Sequence, residues 1–94
     1  MSFTWSRDAG RDRDRIFDLI AEDKLSAAAT NDAKIADIER QLTDFPCSGR
    51  VGRLPGTREL VVPGTPVVAV YAVRTGGVLV LRVIHGAQQW PPKD

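Results

Sequence analysis

The side chains that could do chemistry in this 94-residue chain lie mostly in its second half. They are four arginines, one histidine and one tyrosine: Arg50, Arg53, Arg58, Arg82, His85 and Tyr71. Guanidinium groups bind phosphate well, and an imidazole can donate or accept a proton near neutral pH. Such a set could bind phosphate and stabilise the transition state of phosphate chemistry, with His85 as the acid or base.

Each of these residues also has an ordinary structural explanation. A histidine at the end of a strand, such as His85, is most often hydrogen bonded within the fold. Tyr71 lies among valines, as core residues do. Arg58 precedes Glu59, so it could simply tie its strand to a helix. The residues by themselves therefore leave open whether the protein is an enzyme, and they assign no catalytic residue.

The sequence predicts no metal site and no cofactor. One histidine and one cysteine, Cys47, cannot supply the three or four ligands that a bound metal needs. The stretch GRVGR at residues 49–53 lacks the spacing of a phosphate-cradling loop and does not lie between a strand and a following helix. It is interpreted as a flexible basic connector.

Charge is unevenly divided along the chain, although the net charge is only +1. Residues 1–44 carry 7 Lys and Arg against 10 Asp and Glu, whereas residues 45–94 carry 6 against 2. An anionic partner would therefore meet the second half of the chain, with Arg50, Arg53, Arg58 and Arg82 as candidate contacts. Solvated surface charge explains the same imbalance equally well.

Three apolar runs rich in β-branched residues, at 59–62, 67–73 and 78–84, predict strands. Pro63-Gly64-Thr65-Pro66 separates the first two runs, and Arg74-Thr75-Gly76-Gly77 is a tight hairpin signal between the last two. The pattern predicts a three-stranded antiparallel meander. Residues 3–5 alternate in polarity and could add a short strand at one edge.

Two helices are predicted before the meander. Apolar residues recur at helical spacing over residues 8–22, with Ser6 as the N-cap, and again from residue 25 to about Thr43. The charges of residues 11–15 alternate in sign, which favours a solvated helix face. The predicted fold is α+β: one domain over residues 1–94, in which an N-terminal helical hairpin packs on a small twisted antiparallel sheet.

Period-two alternation assigns the faces of the sheet. In the last strand it puts Leu79, Leu81 and Val83 beneath the helices. Two short helices cover only one face, so the other face should be exposed, as partner surfaces often are. Its candidate partner contacts are Val68, Val70, Val78, Val80 and Trp90. Trp90 is also expected to pack back on the domain.

The sequence carries no signal for a membrane. No apolar run reaches the roughly 18 residues that a span requires. The first ten residues lack the apolar region of a signal peptide. A cytoplasmic protein without a membrane partner is expected.

Several stretches resemble the ParE branch of the RelE/ParE toxin superfamily. They are PGTRELV at 55–61, PVVAVY at 66–71, LRVIHGA at 81–87 and the pair Trp90-Pro91. A helical hairpin that ends in Phe45-Pro46, followed by a loop of glycines and arginines, fits the same pattern. The resemblance covers nearly the whole chain.

This resemblance implies the toxin of a bacterial type II toxin–antitoxin pair, with the fold predicted above. It also implies a cognate antitoxin encoded beside it, whose C-terminal segment wraps the toxin. An exposed apolar sheet face and a groove beside the helices would suit a segment that folds on binding, because such a segment needs apolar anchors.

The superfamily divides by target. ParE-type members are associated with poisoning DNA gyrase and catalyse nothing themselves, whereas RelE-type members cleave mRNA on the ribosome. The ribonuclease branch commonly has an arginine three residues before the middle-strand tyrosine, where this chain has Val68. It also often carries central lysines, which residues 35–92 lack. The gyrase-type interpretation is favoured. If the chain is a nuclease, Arg58, Arg82 and His85 are its catalytic candidates.

Overall fold

The computed structural model describes residues 2–86 and 88–92, and it has the predicted α+β architecture. One layer is helical, with α1 (Arg7–Ala21), α2 (Leu25–Ala36) and α3 (Ile38–Asp44). The other layer is a sheet of five strands: β1 (Ser2–Trp5), β2 (Arg50–Val51), β3 (Arg58–Val61), β4 (Val67–Arg74) and β5 (Gly77–His85). The prediction of a helical hairpin packed on a small sheet is confirmed.

The strands lie in the order β1-β5-β4-β3-β2. The predicted meander is present, since β3, β4 and β5 pair antiparallel in sequence. Its last turn includes Gly76 at φ 91°, a backbone region that glycine adopts without steric cost. The predicted edge strand at residues 3–5 is β1, which pairs parallel with β5. The sheet is therefore mixed rather than wholly antiparallel.

The helices begin and end for local reasons that the sequence predicted only in part. Ser6 is the N-cap of α1, as expected, and its Oγ accepts a hydrogen bond from Ala9 N at 3.0 Å. The second predicted helix is interrupted at Asp37, between α2 and α3, and Ile35 and Ile38 on either side of the break are both buried. In the described part of the chain, none of these helices combines the length and apolar character needed to span a bilayer.

The core lies between the helices and one sheet face. Ile16, Ile35 and Leu42 from the helices meet Val80 and other strand residues, and these four side chains are at most 3% exposed. Each such aliphatic side chain contributes roughly 1.5–3 kcal/mol through burial.

Tyr71 belongs to this core, as predicted, and is fully buried. Its hydroxyl donates to Pro46 O at 2.7 Å and accepts from Gly49 N at 2.9 Å. The loop after α3 is thereby fixed to the sheet.

The face assignment was wrong for the first half of β5, where Leu79 and Leu81 were placed beneath the helices, but Val83 lies there as predicted. Tyr71 pairs with Val80 but its neighbour Val70 pairs with Arg82, so Leu81 is an extra residue in β5. A bulge of this kind reverses the alternation along the strand. As a result Val78 and Val80 join Val83 beneath the helices, at 2%, 0% and 0% exposed. Val78 and Val80 therefore do not lie on an open face, contrary to the prediction.

The opposite sheet face, called the far face here, is also more covered than expected. It carries Glu59, Val68, Val70 and Arg82. Val70 is fully buried and Val68 is half-buried, so the prediction of an exposed apolar face fails for Val70. Arg53 from the loop contacts Glu59 on this face, and the Trp90 ring lies beside Arg82. Val61, which pairs with Val68, stays 51% exposed.

Candidate functional site

Two of the candidate arginines converge on one buried carboxylate. Arg50 Nη2 lies 2.9 Å from Glu59 Oε1, and Arg53 reaches both Glu59 oxygens, through Nη2 at 2.9 Å and Nε at 3.2 Å. The Arg53 backbone N–H adds a fourth hydrogen bond at 2.9 Å. The Glu59 side chain is 0% exposed. Hydrogen bonds from Arg53 outweigh the opposing effect of burial and lower the pKa of Glu59 to about 2.

This cluster keeps one excess positive charge at the surface, because two guanidinium groups share one carboxylate. The side chains of Arg50 and Arg53 are 61% and 51% exposed, respectively. The loop interpreted as a flexible connector is ordered here, since Arg50 lies in β2 and Arg53 is fixed to Glu59. An anionic partner could approach this exposed edge.

Arg58 supports the neighbouring loop rather than a helix. Its Nη1 donates to Gly49 O at 2.9 Å and to Cys47 O at 3.4 Å. Gly49 has no room for a side chain, since a Cβ there would lie 2.7 Å from the Tyr71 hydroxyl. Arg58 and Tyr71 together hold the loop against the end of the sheet.

Arg82 forms an ion pair that sequence reasoning missed. Its Nε and Nη2 donate to the two carboxylate oxygens of Asp12 at 2.7 and 3.1 Å, and Asp12 also accepts from Val83 N at 2.9 Å. Asp12 is 4% exposed, although it belongs to the stretch interpreted as solvated. One signal could have identified it: Asp12 lies three residues after Ala9 and four before Ile16, on the buried stripe of α1.

Trp90 packs back on the domain, as predicted, and it does so against arginines of the loop and the far face. Its carbonyl oxygen accepts from Arg53 Nη1 at 2.9 Å, and the Arg82 guanidinium carbon lies 5.6 Å from the centroid of its ring. That separation is within the range of a cation–π contact. The indole Nε1 is buried and has no hydrogen-bond partner among the residues described.

The three nuclease candidates do not converge. Arg58 shares a sheet face with Tyr71, whereas Arg82 is on the far face. His85 is on the helix side of the sheet. It lies five residues beyond Val80, the residue that pairs with Tyr71, and this separation is about 15 Å along β5. Within the described chain these side chains form no common site around a single phosphate.

A groove of about 530 Å³ runs between α1 and the end of β5. Its surface is mostly apolar and includes Ile16, Leu19 and Ile20. The charged and polar residues that line it are Asp12, Arg15, His85 and Gln88. Leu19 is 59% exposed, which is unusual for a leucine beside the core. This groove lies beside the helices, where the family resemblance implied one.

Side chains seal the edge of β5 beside the groove. Beyond the end of β1, Ser6 Oγ donates to a β5 carbonyl at 2.8 Å and Asp12 accepts from Val83 N. Gln88 then pairs with His85, because His85 N donates to Gln88 Oε1 and Gln88 N donates to His85 O, both at 2.8 Å. A partner strand would have to displace these groups, so the groove favours a partner that binds through its side chains.

The chain is similar to known toxins along almost its entire described length. A family model described as ParE toxin of type II toxin–antitoxin system, parDE, matches residues 3–90. A protein of Sinorhizobium fredii (strain NBRC 101917 / NGR234) described as "Putative toxin Y4kP" is 39% identical over 87 residues, covering 93% of this chain and 90% of that protein. A chain of the solved structure "Chromosomal ParDE TA system from P. aeruginosa" has a TM-score of 0.82 at 26% identity, covering 90% of this chain and 95% of the other.

Proposed function

Because the chain belongs to the ParE toxin family of type II toxin–antitoxin systems, we propose that it inhibits growth by acting on DNA gyrase and is neutralised by a cognate antitoxin. The observation that carries this proposal is the family match over residues 3–90. The toxin acts by binding and catalyses no reaction of its own. The proposal puts the protein in the cytoplasm, with residues 1–94 as one toxin domain.

The arrangement of the basic residues supports binding over catalysis. Arg53 and Arg82 are each fixed by a buried carboxylate, Glu59 and Asp12. A guanidinium held in this way has fewer donors for a phosphate in a transition state. Arg58 and His85 lie at separate places on the sheet. The position where ribonuclease relatives carry an arginine is Val68, which is half-buried here.

The antitoxin occupies the groove between α1 and β5 in this proposal. Ile16, Leu19 and Ile20 supply an apolar floor, and Arg15 supplies positive charge at the rim. An amphipathic antitoxin segment with apolar side chains toward Leu19 and a carboxylate toward Arg15 is complementary to this surface. The seal at the β5 edge favours such side-chain docking over the addition of a strand.

The test is to induce this chain alone in bacteria and follow DNA damage and mRNA integrity during the first minutes. An early damage response with intact messages is expected, and co-expression of the antitoxin encoded beside the toxin gene should suppress it. Purified toxin should also inhibit supercoiling by gyrase. These readouts address the target and the antitoxin separately.

Two other outcomes would replace the proposal. Rapid message cleavage without an early damage response, lost on Arg82→Ala or His85→Ala, would make the protein a ribosome-dependent endonuclease. Normal growth with fully folded protein would leave only a partner-binding domain. In that case, binding of the chain to folded but catalytically inactive gyrase could be measured in vitro as a control.

A further inference from the structure

The C-terminal residues 88–92, called the strap here, are fastened to the body of the protein at three points. Gln88 pairs with the backbone of His85, Arg53 donates to the Trp90 carbonyl, and Arg82 lies over the Trp90 ring. Two of these fastenings are arginines that buried carboxylates hold in place. The strap is therefore positioned by the ion pairs and not by apolar packing alone.

The groove and the strap share residues. Gln88 lines the groove and is also the first residue of the strap. Asp12 lines the groove and also orients Arg82, which contacts Trp90. An occupant that fills the groove therefore contacts Gln88 of the strap directly, and through Asp12 and Arg82 it is connected to Trp90.

We propose that the groove and the strap are energetically coupled, so that an apolar segment bound in the groove holds the strap more tightly against the far face. The coupling follows from contact and from solvation. An occupant covers Gln88 and replaces water in the groove beside Asp12 with apolar groups, and hydrogen bonds between charged groups strengthen in less polar surroundings. Linkage requires the reverse effect, so a fastened strap raises the affinity of the groove for its occupant by the same factor.

The coupling rests on the proposed function, in which the antitoxin occupies the groove, but it can be tested with the toxin alone. Trp5→Phe leaves Trp90 as the only tryptophan, so that one indole N–H signal reports on the strap. Cys47→Ser removes the one native thiol. In that background Leu19→Cys, labelled with N-phenylmaleimide, fixes an apolar ring at the groove.

The matched control carries the same label at Leu25→Cys. Leu25 is 66% exposed and lies on α2, outside the groove. Hydrogen exchange of the Trp90 indole N–H is measured by NMR in both labelled proteins and in their unlabelled parents. The label at residue 19 should slow exchange roughly fivefold, near the lower end of usual coupling between sites, and the label at residue 25 should leave it unchanged.

A third variant tests whether the coupling between the groove and the strap passes through Gln88. Gln88 is exposed, so Gln88→Ala should fold normally and should at least halve the effect of the label at residue 19. Unchanged or faster exchange with the groove label overturns the coupling, as does equal slowing by both labels. An effect that Gln88→Ala leaves intact overturns it too. None of these results bears on whether the toxin acts on gyrase or binds its antitoxin.

Discussion

Asp12 of α1 and Arg82 of β5 are 70 residues apart in the chain, yet their side chains meet in a two-point ion pair at 2.7 and 3.1 Å. The pair joins the helical layer to the sheet at the point where β1 ends. Asp12 also accepts from Val83 N, so one carboxylate satisfies both a charged side chain and an edge backbone group. Loss of the Asp12 carboxylate should lower the stability of the protein and change the shape of the groove.

Asp12→Ala should lower the free energy of unfolding by about 2–3 kcal/mol, because it leaves Val83 N and the partly buried Arg82 without their acceptor. Urea unfolding of the purified protein measures this change. Asp14→Ala is the matched control, since Asp14 is exposed on the same helix and should change stability by less than about 0.5 kcal/mol. Equal effects of the two substitutions would contradict the structural role of Asp12.

Glu59 should make the protein sensitive to acid in a defined window. Its pKa is lowered from 4.5 to about 2 in the folded protein, so its contribution is complete above pH 4.5 and is lost as the pH falls toward 2. The lost contribution is about 3 kcal/mol at most. Unfolding of the native protein and of Glu59→Gln is compared at pH 6, 4.5, 3 and 2.

The variant should be less stable than the native protein at pH 6, because it loses the charge that Arg50 and Arg53 share. The gap should narrow steadily below pH 4.5. If both proteins lose stability in parallel between pH 4.5 and 2, Glu59 is not the group responsible.

Tyr71→Phe should loosen the loop at residues 46–49 while the core stays packed. The hydroxyl group is bonded to both Pro46 O and Gly49 N, and its removal should cost about 1–3 kcal/mol. The amide of Gly49 should exchange with solvent faster, whereas the amide of Val83, held by Asp12, should not. Equal acceleration at both amides would indicate global destabilisation instead.

Leu19→Glu should weaken antitoxin binding at least tenfold, because it puts a charge on the apolar floor of the proposed docking groove. Titration calorimetry with the proposed antitoxin measures the affinity. Leu25→Glu makes the same exchange at a similarly exposed leucine outside the groove. Comparable losses in both variants would show that the groove is not the docking surface.

Residues with local consequences were predicted well from the sequence. Ser6 caps the N-terminus of α1, and glycine at residue 76 permits the β4–β5 turn. Both could be predicted because caps and turns depend on neighbouring residues. The burial of Tyr71 and the return of Trp90 to the fold also followed from apolar character. The fold class needed little more than these patterns and the spacing of the apolar runs.

What only the tertiary structure decided depends on contacts between distant residues. The extra residue at Leu81 leaves no mark on a hydrophobic pattern, so Val78 and Val80 were assigned to the wrong face. Asp12 looked solvated because its partner lies 70 residues away. Likewise, Arg53 and Arg82 were visible as charges, but the carboxylates that hold them are fixed by strand register and helix packing. Residue type and spacing determine which elements form, whereas register and packing determine which side chains meet.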